Sequence, residues 1–324
     1  MKCVVIGGTG FLGHFVAGEL DARGHAVTAV GLPPAPAPGY LPASTEVVVG
    51  SLDEMSDNTL LKIFDGADAV VFGAGADGRD LFPVPAIDGY RKANVAPIGR
   101  LVPLMLTASV PRLVILGSFY TALARRFPDL RLGEVHPYVQ SRLEQAHLSF
   151  ELGGANLSVG VLELPYIFGA APGRGTLWGF YLRHVRDHDP VPVPTGWTAC
   201  VTARQVGQAT AGACERVSGH QQYAVVESNY SYVKLYRLFA DALGLRRHFR
   251  PTARDEAMAQ AEQQVEWLAA TGKEHGMHPV GLAELQAVQA YLDPAPAMEA
   301  LGYSQDAGAG AHLLANLLGG ASDL

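Results

Sequence analysis

The sequence predicts an α/β protein in which a doubly wound parallel sheet is followed by a smaller, mixed or helical lobe at the C-terminal end. Over residues 1–165, short β-branched runs alternate with helical patterns, which is typical of a parallel sheet covered by helices on both faces. After Pro165 this alternation stops. Hydrophobic residues make up 48% of the 324 residues and charged residues 17%, so the chain can bury a sizeable core and is not of the disordered class.

The first half divides into six predicted strands joined mainly by helices. The first strand, Val4–Ile6, leads into the helix Phe11–Arg23, whose apolar residues form one stripe and which ends at Gly24. The segment Leu32–Pro42 contains five prolines and must be a surface loop. The other predicted strands are Ala26–Val30, Glu46–Val49, Ala69–Phe72, Leu113–Leu116 and Leu157–Leu162. The other predicted helices are Asn58–Phe64, Tyr90–Ala108 and Tyr138–Leu152.

The second half is predicted to be mainly helical. Ala203–Glu215 and Tyr223–Val226 are expected to return to the sheet, so the domain boundary is not a single cut. We assign residues 1–165, with roughly 198–227, to the sheet domain, and residues 166–197 and 228–324 to a substrate-binding lobe. The helices predicted in this lobe are Gly175–Arg186, Ser231–Leu243, Arg254–Thr271, Leu282–Tyr291 and Gly308–Leu318.

Charge and cysteine content narrow the class of protein. The 24 Lys and Arg residues against 31 Asp and Glu give a net charge of −7, which makes nucleic acid a poor partner. Cys3, Cys200 and Cys214 form no close pair along the chain, so neither a disulfide framework nor a thiolate metal site is expected. No run of 18 apolar residues occurs, so no membrane span is expected. We predict a cytoplasmic protein that binds no metal, membrane or nucleic acid.

The strongest functional signal is a glycine-rich turn between the first strand and the first helix. Gly7–Gly13 reads GGTGFLG, with glycines in the spacing G-x-x-G-x-x-G. In a dinucleotide-binding turn, successive glycines permit the sharp turn, the approach of a pyrophosphate, and close packing of helix on strand. Free N–H groups at the helix start then bind the anion. The alternative is an ordinary tight turn without a ligand. The predicted cofactor contacts here are Gly7, Gly10, Phe11, Leu12 and Gly13.

Further residues follow the order of a known superfamily. They are Asn94 on the long helix, Ser118 at the end of the fifth strand, Tyr138, and the segment Leu164–Gly169, which reads LPYIFG. Over about the first 230 residues, the chain resembles the extended short-chain dehydrogenase/reductase superfamily, in particular its NAD-dependent epimerase/dehydratase family. The resemblance implies a Rossmann-type sheet, bound NAD or NADP, and a substrate lobe at the C-terminus. It also implies that Asn94 and Pro165 contact the cofactor, Pro165 in a turn beside the nicotinamide.

The resemblance further implies hydride transfer with three catalytic candidates. Tyr138 would exchange a proton with the substrate oxygen, and Ser118 would hydrogen-bond to that oxygen. A free phenol titrates at about 10, so a nearby cation is needed for this role at neutral pH. The family has a lysine four residues after the tyrosine, on the same helix face; here that residue is Arg142, which supplies charge but stays protonated. The literal Tyr-x-x-x-Lys at Tyr230 and Lys234 lies in a predicted second-lobe helix, and we reject it.

The predicted function is an NAD(P)-dependent oxidoreductase that acts on a carbonyl or secondary alcohol of a small molecule. Two alternatives stay open: a sugar-nucleotide epimerase or dehydratase, and a non-catalytic dinucleotide-binding sensor or RNA-binding protein. The second strand is followed by Gly31 and Leu32, with neither an acid for a ribose 2′-hydroxyl nor an arginine for a 2′-phosphate. The choice between NAD and NADP is therefore open.

The second lobe contains further candidates for substrate contacts. The apolar segment Pro190–Trp197 favours a less charged substrate, although four arginines could serve a diphosphate: Arg174, Arg183, Arg186 and Arg204. Four aromatic residues could line a pocket or form plain core: Trp178, Phe180, Tyr181 and Trp197. The pair His184 and His188 is better explained as a polar helix end than as a zinc site. His136, two residues before Tyr138, is a better candidate for a substrate contact, the alternative being a surface loop.

We also predict a homodimer. The helices beginning at Lys92 and Tyr138 are the pair through which extended family members often form a four-helix contact. The apolar residues available for such a surface are Leu101, Leu104, Leu143 and Leu148.

Overall fold

The structure, a computed structural model, describes residues 1–305. Its strands in chain order are β1 (Lys2–Ile6), β2 (Ala26–Gly31), β3 (Glu46–Val49), β4 (Ala69–Phe72), β5 (Leu81–Pro83), β6 (Arg112–Ser118), β7 (Ser158–Leu164), β8 (Tyr166–Phe168), β9 (Val191–Val193), β10 (Trp197–Thr202), β11 (His220–Ala224), β12 (Ser228–Ser231), β13 (Phe249–Pro251) and β14 (Lys273–His275).

The helices cover both faces of the sheet and build much of the second lobe. In chain order they are α1 (Phe11–Ala22), α2 (Asp57–Phe64), α3 (Ala86–Tyr90), α4 (Ala96–Thr107), α5 (Tyr120–Arg126), α6 (Leu132–Val135), α7 (Pro137–Gly153), α8 (Gly179–Asp187), α9 (Ala203–Arg216), α10 (Tyr232–Ala242), α11 (Arg254–Ala270), α12 (Pro279–Leu285) and α13 (Ala295–Leu301). A π-helical turn (Arg91–Val95) joins α3 to α4, and a 3₁₀ turn (Pro128–Leu130) precedes α6.

The main sheet has seven strands in the order β11-β7-β6-β4-β1-β2-β3. Each neighbouring pair in it is parallel, which confirms the predicted α/β class. The chain runs outward from β1 through β2 to β3, and then crosses to β4 on the other side of β1. This reversal leaves a crevice outside the carboxyl ends of β1 and β4, which is where open α/β sheets bind ligands.

Alternate residues of β1 pack on opposite faces of the sheet, as the two-residue period of a strand requires. Cys3 and Val5 belong to a core with α1 and α9, which lie on one face. Val4 and Ile6 belong to a second core with α2 and α4 on the other face. Both faces of the sheet are therefore buried, and its functional surface is left to the strand ends and the loops that follow them.

The second lobe contributes smaller sheets: β8, β10 and β12 form one, and β9 pairs with β13. The expected return of Ala203–Glu215 and Tyr223–Val226 to the main sheet is seen with a shifted strand: α9 packs against α1, and β11, which pairs with β7, covers His220–Ala224. Within the same predicted interval, however, β10 pairs with β8 and β12 rather than with the main sheet. The division into a sheet domain and a substrate lobe stays a prediction.

Two predicted helices are altered in the structure, and a third lies beyond the residues that it describes. The long helix Tyr90–Ala108 is interrupted by the π-helical turn, where Gln145 Nε2 donates to Asn94 O at 2.6 Å and draws this carbonyl to a partner outside the helix. The helix expected over Leu282–Tyr291 is instead α12, which starts earlier at Pro279, a residue suited to a first helical turn. The predicted helix Gly308–Leu318 lies outside the described residues.

All three cysteines are free and buried, and Cys3 and Cys214, remote in sequence, share one core. Within residues 1–305, no helix combines the length and the apolar character needed to cross a bilayer. The same residues contain no group of three His, Cys, Asp or Glu side chains placed to hold a metal ion.

Of the four leucines predicted for a dimer surface, Leu101 lies in the core and is not available for a surface contact. The other three, Leu104, Leu143 and Leu148, are half-buried.

Candidate active site

The glycine turn at the end of β1 has the geometry of a close backbone crossing. Gly7 adopts φ +85°, and a Cβ there would lie 2.8 Å from the carbonyl carbon of Gly73, so only glycine fits. A Cβ on Gly13 would lie 2.3 Å from Gly7 O, because α1 packs directly against the turn. Gly10 is different: a Cβ would meet only Gly7 O, at 3.0 Å, and nothing else within 4 Å. The turn is thus closed at Gly7 and Gly13 and open at Gly10.

A cleft of about 1590 Å³ extends from this turn to the second lobe. Its first side follows the carboxyl ends of four neighbouring strands, β1, β4, β6 and β7. We call this side the sheet-edge wall; its lining residues at or next to these strand ends are Gly7, Gly10, Phe11, Leu12, Gly73, Ser118, Leu164 and Pro165. Parallel strands end at one edge of a sheet, so residues far apart in sequence are neighbours here.

Ser118, Tyr138 and Arg142 all line this cleft. Each is almost completely buried, with 3%, 6% and 7% of its surface exposed. Ser118 is the last residue of β6, and its Oγ accepts from the Tyr120 N–H at 3.4 Å. Tyr138 and Arg142 lie one helical turn apart near the start of α7, so both face the cleft. The Arg142 guanidinium carbon lies 5.3 Å from the centroid of the Tyr138 ring.

Arg142 is held in place by uncharged partners. Its Nη2 donates to Ala76 O and its Nη1 to Gln145 Oε1, both at 3.0 Å. Its Nε is buried and has no hydrogen-bond partner among the described residues. The guanidinium therefore brings an unpaired positive charge, with one donor unused, to the side of the Tyr138 ring.

Asn94 and Gly13, both predicted as cofactor contacts, do not line the cleft. Asn94 is fully buried; its Oδ1 accepts from the Ala76 N–H at 2.9 Å, and its Nδ2 donates to Ser141 Oγ at 3.1 Å. It thereby links the loop after β4 to helix α7 and helps to position Ala76, whose carbonyl accepts a hydrogen bond from Arg142. Gly13 lies beneath the turn, where it sets the spacing of α1.

The second lobe forms the other side of the cleft with aromatic side chains. We call this side the aromatic wall; it consists of Tyr166, Trp178, Phe180, Tyr181 and Tyr236. The Trp178 ring stacks on Phe168 at 4.3 Å, and its Nε1 donates to Ile167 O at 3.1 Å, so the indole is fixed. Phe180 lines the cleft and is 66% exposed. Trp197, the fourth aromatic residue predicted for this pocket, does not line the cleft.

Charged groups at the cleft are mostly paired with one another. Arg79 Nε donates to Asp77 Oδ1 at 3.0 Å. Burial alone would raise the pKa of Asp77, but the hydrogen bonds and charge of Arg79 outweigh burial and hold that pKa below its ordinary value. Burial raises the pKa of Tyr120, which also lines the cleft, so this phenol stays neutral. Neither Arg79 nor Tyr120 lies in a motif, and no sequence signal singled them out.

A segment of the second lobe, residues 273–281, lies across the start of α7, and we call it the strap. Gly276 O accepts from the Tyr138 N–H at 3.0 Å, and the His278 N–H donates to His136 Nδ1 at 2.9 Å. His136 is completely buried, and it is absent from the cleft lining, so the structure does not support the substrate contact considered for it. Burial, with the nearby His278 and His275, lowers the pKa of His136 to about 4.

Two other predicted patterns lie away from the cleft or serve the structure. Tyr230 and Lys234 contact each other, with the Lys234 ammonium 4.6 Å from the ring centroid, and neither lines the cleft. His184 Nε2 bonds to Pro192 O at 2.9 Å, and His188 Nδ1 bonds to His184 O at 2.8 Å. These histidines close the end of α8.

Comparison with known proteins agrees with this architecture. Residues 7–150 match the family described as NAD(P)H-binding. No curated protein matches the sequence. A nucleoside-diphosphate-sugar epimerase from Pseudomonas aeruginosa has a similar structure, with a TM-score of 0.73 and 20% identity over 100% of this chain and 98% of that one.

Two further solved structures have the same fold. UDP-glucose 4-epimerase from Bifidobacterium longum, crystallised with NAD+ and UDP, gives a TM-score of 0.69 with 14% identity over 99% of this chain and 98% of that one. UDP-N-acetylglucosamine 4-epimerase from Bacillus cereus gives 0.68 with 14% identity over 98% and 96%. These likenesses confirm the expected Rossmann-type fold, and the matched domain supports NAD or NADP as the cofactor.

Proposed function

We propose that the protein is an NAD(P)-dependent oxidoreductase that interconverts a carbonyl and a secondary alcohol on a small molecule. The observation that carries this proposal is the placement of Ser118, Tyr138 and Arg142 on the same cleft as the open glycine turn. A proton donor, an oxygen-binding hydroxyl and a cation thus share one space with a dinucleotide-type anion site.

The residues present fit a bound dinucleotide. The open position at Gly10 lets a pyrophosphate approach the start of α1, where the N–H groups of Phe11 and Leu12 precede the first intrahelical bond, made by His14 N–H to Gly10 O at 3.1 Å. The unused Nε of Arg142 is a donor suited to a ribose hydroxyl. Pro165 follows β7 at the sheet-edge wall, as expected for a turn beside the nicotinamide.

In carbonyl reduction, the reduced dinucleotide supplies a hydride to the carbonyl carbon. The Tyr138 hydroxyl donates the proton that the carbonyl oxygen takes up, and the Ser118 hydroxyl hydrogen-bonds to that oxygen and orients it. Arg142 places positive charge beside the Tyr138 ring and stabilises the phenolate that remains. The strap fixes the start of α7, because Gly276 O accepts the backbone N–H of Tyr138.

A sugar-nucleotide epimerase or dehydratase is the second candidate. It is favoured by the full-length likeness to epimerases of Pseudomonas aeruginosa and Bifidobacterium longum. Both candidates use Tyr138 for proton transfer; they differ in whether the substrate carries a nucleoside diphosphate.

The first prediction tests Tyr138 as the proton donor. Tyr138→Phe should lower kcat by about 10²–10⁴-fold, since that is the value of positioned proton transfer. It should leave the dinucleotide Kd within about twofold, because the hydroxyl serves chemistry more than affinity. The measurement is steady-state reduction of a panel of ketones and aldehydes with NADH and NADPH, together with dinucleotide fluorescence titration.

Tyr120→Phe is the matched control, because Tyr120 is a second phenol on the same cleft and its ring lies 6.3 Å from that of Tyr138. It should keep kcat within about threefold. Parental turnover in Tyr138→Phe, or an equal loss in Tyr120→Phe, would remove Tyr138 from the role of donor.

A further inference from the structure

The aromatic wall is an apolar surface of which the folded chain leaves one end, at Phe180, uncovered. Trp178 is fixed by its stacking on Phe168 and by its hydrogen bond to Ile167 O. Beside it, Phe180 and Leu177 line the cleft with 66% and 40% of their surfaces exposed. Two large apolar side chains that line the same cleft and stay exposed indicate a ligand that buries them.

The charges lining the cleft balance. Among the described residues, the lining contains three carboxylates, Asp77, Asp129 and Glu284, and three arginines, Arg79, Arg142 and Arg254. Arg79 is hydrogen-bonded to Asp77, and Arg254 Nη2 lies 3.9 Å from Glu284 Oε1. Arg142 is hydrogen-bonded to no carboxylate, although its charge also acts on Asp77, and it lies next to Tyr138 and the proposed ribose site.

A second diphosphate has no cationic partner in this arrangement. The bound dinucleotide itself brings a pyrophosphate, and a nucleoside diphosphate substrate would bring another into the same cleft. Diphosphates are recognised by unpaired Arg or Lys side chains. None of the four arginines considered from the sequence lines the cleft. Arg174 donates to Thr9 O at 2.7 Å, and Arg186 donates to Asp187 Oδ1 at 2.8 Å.

We infer that the substrate is an uncharged small molecule whose carbonyl or secondary alcohol is attached to an aromatic ring system. This inference rests on the proposed oxidoreductase function. The oxygen lies at Ser118 and Tyr138, and the ring packs on the aromatic wall at Trp178 and Phe180. In the reduction, the carbonyl carbon gains hydride from the dinucleotide and the oxygen gains the Tyr138 proton, which solvent then replaces.

The test uses 2-acetylnaphthalene as the probe and UDP-glucose as its rival. With the full chain loaded with oxidised dinucleotide, which cannot reduce the ketone, 2-acetylnaphthalene should bind saturably by its fluorescence. UDP-glucose and UDP should not displace it. Phe180→Ser should raise the Kd of the probe about tenfold and Leu177→Ser about threefold, in line with lost ring and alkyl burial. Trp267→Ser is the matched control, since Trp267 is 61% exposed but lies outside the cleft lining, and it should change nothing.

The two proposals fail in different ways. Displacement of the probe by UDP-glucose, or unchanged probe binding in Phe180→Ser, overturns the aromatic substrate and leaves the oxidoreductase proposal standing. Failure to bind either dinucleotide, measured on the same protein without probe, overturns the oxidoreductase proposal itself. With reduced dinucleotide, conversion of 2-acetylnaphthalene to 1-(2-naphthyl)ethanol supports both.

Discussion

The two walls of the cleft are built by different means. The sheet-edge wall is made largely of backbone: the glycine turn, and the ends of β1, β4, β6 and β7. The aromatic wall is made of side chains that α8, β8 and α10 bring together. A backbone wall can hold the invariant part of a ligand, such as a pyrophosphate, whatever side chains surround it. A side-chain wall can be changed without altering the sheet.

This difference separates cofactor from substrate in the molecule. Substitutions at Phe180 of the aromatic wall and at the neighbouring Leu177 should alter which substrate binds, because both side chains line the cleft and are exposed. Substitutions on the sheet-edge wall should alter dinucleotide binding or folding, because its glycines lie against backbone atoms. Substitutions in the glycine turn test this difference between the two walls most directly.

The largest effects are expected from a pair of valine substitutions in this turn. Gly10→Val should weaken dinucleotide binding about 100-fold, since it fills the open approach to the start of α1, and should lower the midpoint of thermal unfolding far less than Gly13→Val, since its Cβ would meet only Gly7 O, at 3.0 Å. Gly13→Val should instead destabilise the fold by roughly 3 kcal/mol or more, because its Cβ would lie 2.3 Å from Gly7 O. Dinucleotide titration and urea unfolding measure the two effects.

Gly18→Val is the control for this pair. Gly18 lies on the same helix, and a Cβ there has no neighbour within 4 Å, so affinity and stability should stay near parental. Full dinucleotide affinity in Gly10→Val would show that the pyrophosphate does not approach this turn.

The contrast between the two walls also explains which parts of the fold and of the site the sequence predicts. The strand–helix alternation and the spacing of Gly7, Gly10 and Gly13 are local patterns, and they predict the main sheet and the sheet-edge wall. Tyr138 and Arg142 are one helical turn apart, so their common face is also local. Arg79 and the strap reach the cleft only through long-range packing, for which one sequence carries no periodic signal. Asn94 is predicted as a cofactor contact because the order of motifs alone does not distinguish a residue that contacts the cofactor from one that holds such residues in place.

The next prediction concerns the junction between the strap and α7. His136 Nδ1 must be unprotonated to accept the His278 N–H, and its pKa is lowered to about 4 from the ordinary 6.5. The unfolded chain therefore binds more protons between these values. The stabilisation is complete above about pH 6.5 and is lost as pH falls towards 4, by about 3 kcal/mol.

His136→Gln keeps a hydrogen-bond acceptor and removes this titration. Its free energy of unfolding in urea should therefore fall less than that of the parent between pH 7 and pH 4.5, by roughly 2 kcal/mol. His147→Gln is the control, because His147 lies on the same helix with its side chain 83% exposed, and it should follow the parent. An identical pH dependence in parent and His136→Gln would mean that another group controls acid stability.

The smallest effect is expected at Arg142, which lies in the cleft beside the proposed proton donor Tyr138. Arg142→Lys keeps the charge next to the Tyr138 ring but cannot reproduce both bonds, to Ala76 O and to Gln145 Oε1. One lost hydrogen bond predicts a loss of about 1 kcal/mol in stability. If charge is what Tyr138 requires, kcat should stay within about threefold of the parent or rise, because a lysine here restores the arrangement of the resembling family.

Arg142→Met removes the charge and the hydrogen-bond donors together. It should lower kcat about tenfold and weaken dinucleotide binding about tenfold. Kinetics and dinucleotide titration on both variants decide the point: equal losses in Arg142→Lys and Arg142→Met would show that the guanidinium fork, and not its charge, is what the cleft uses.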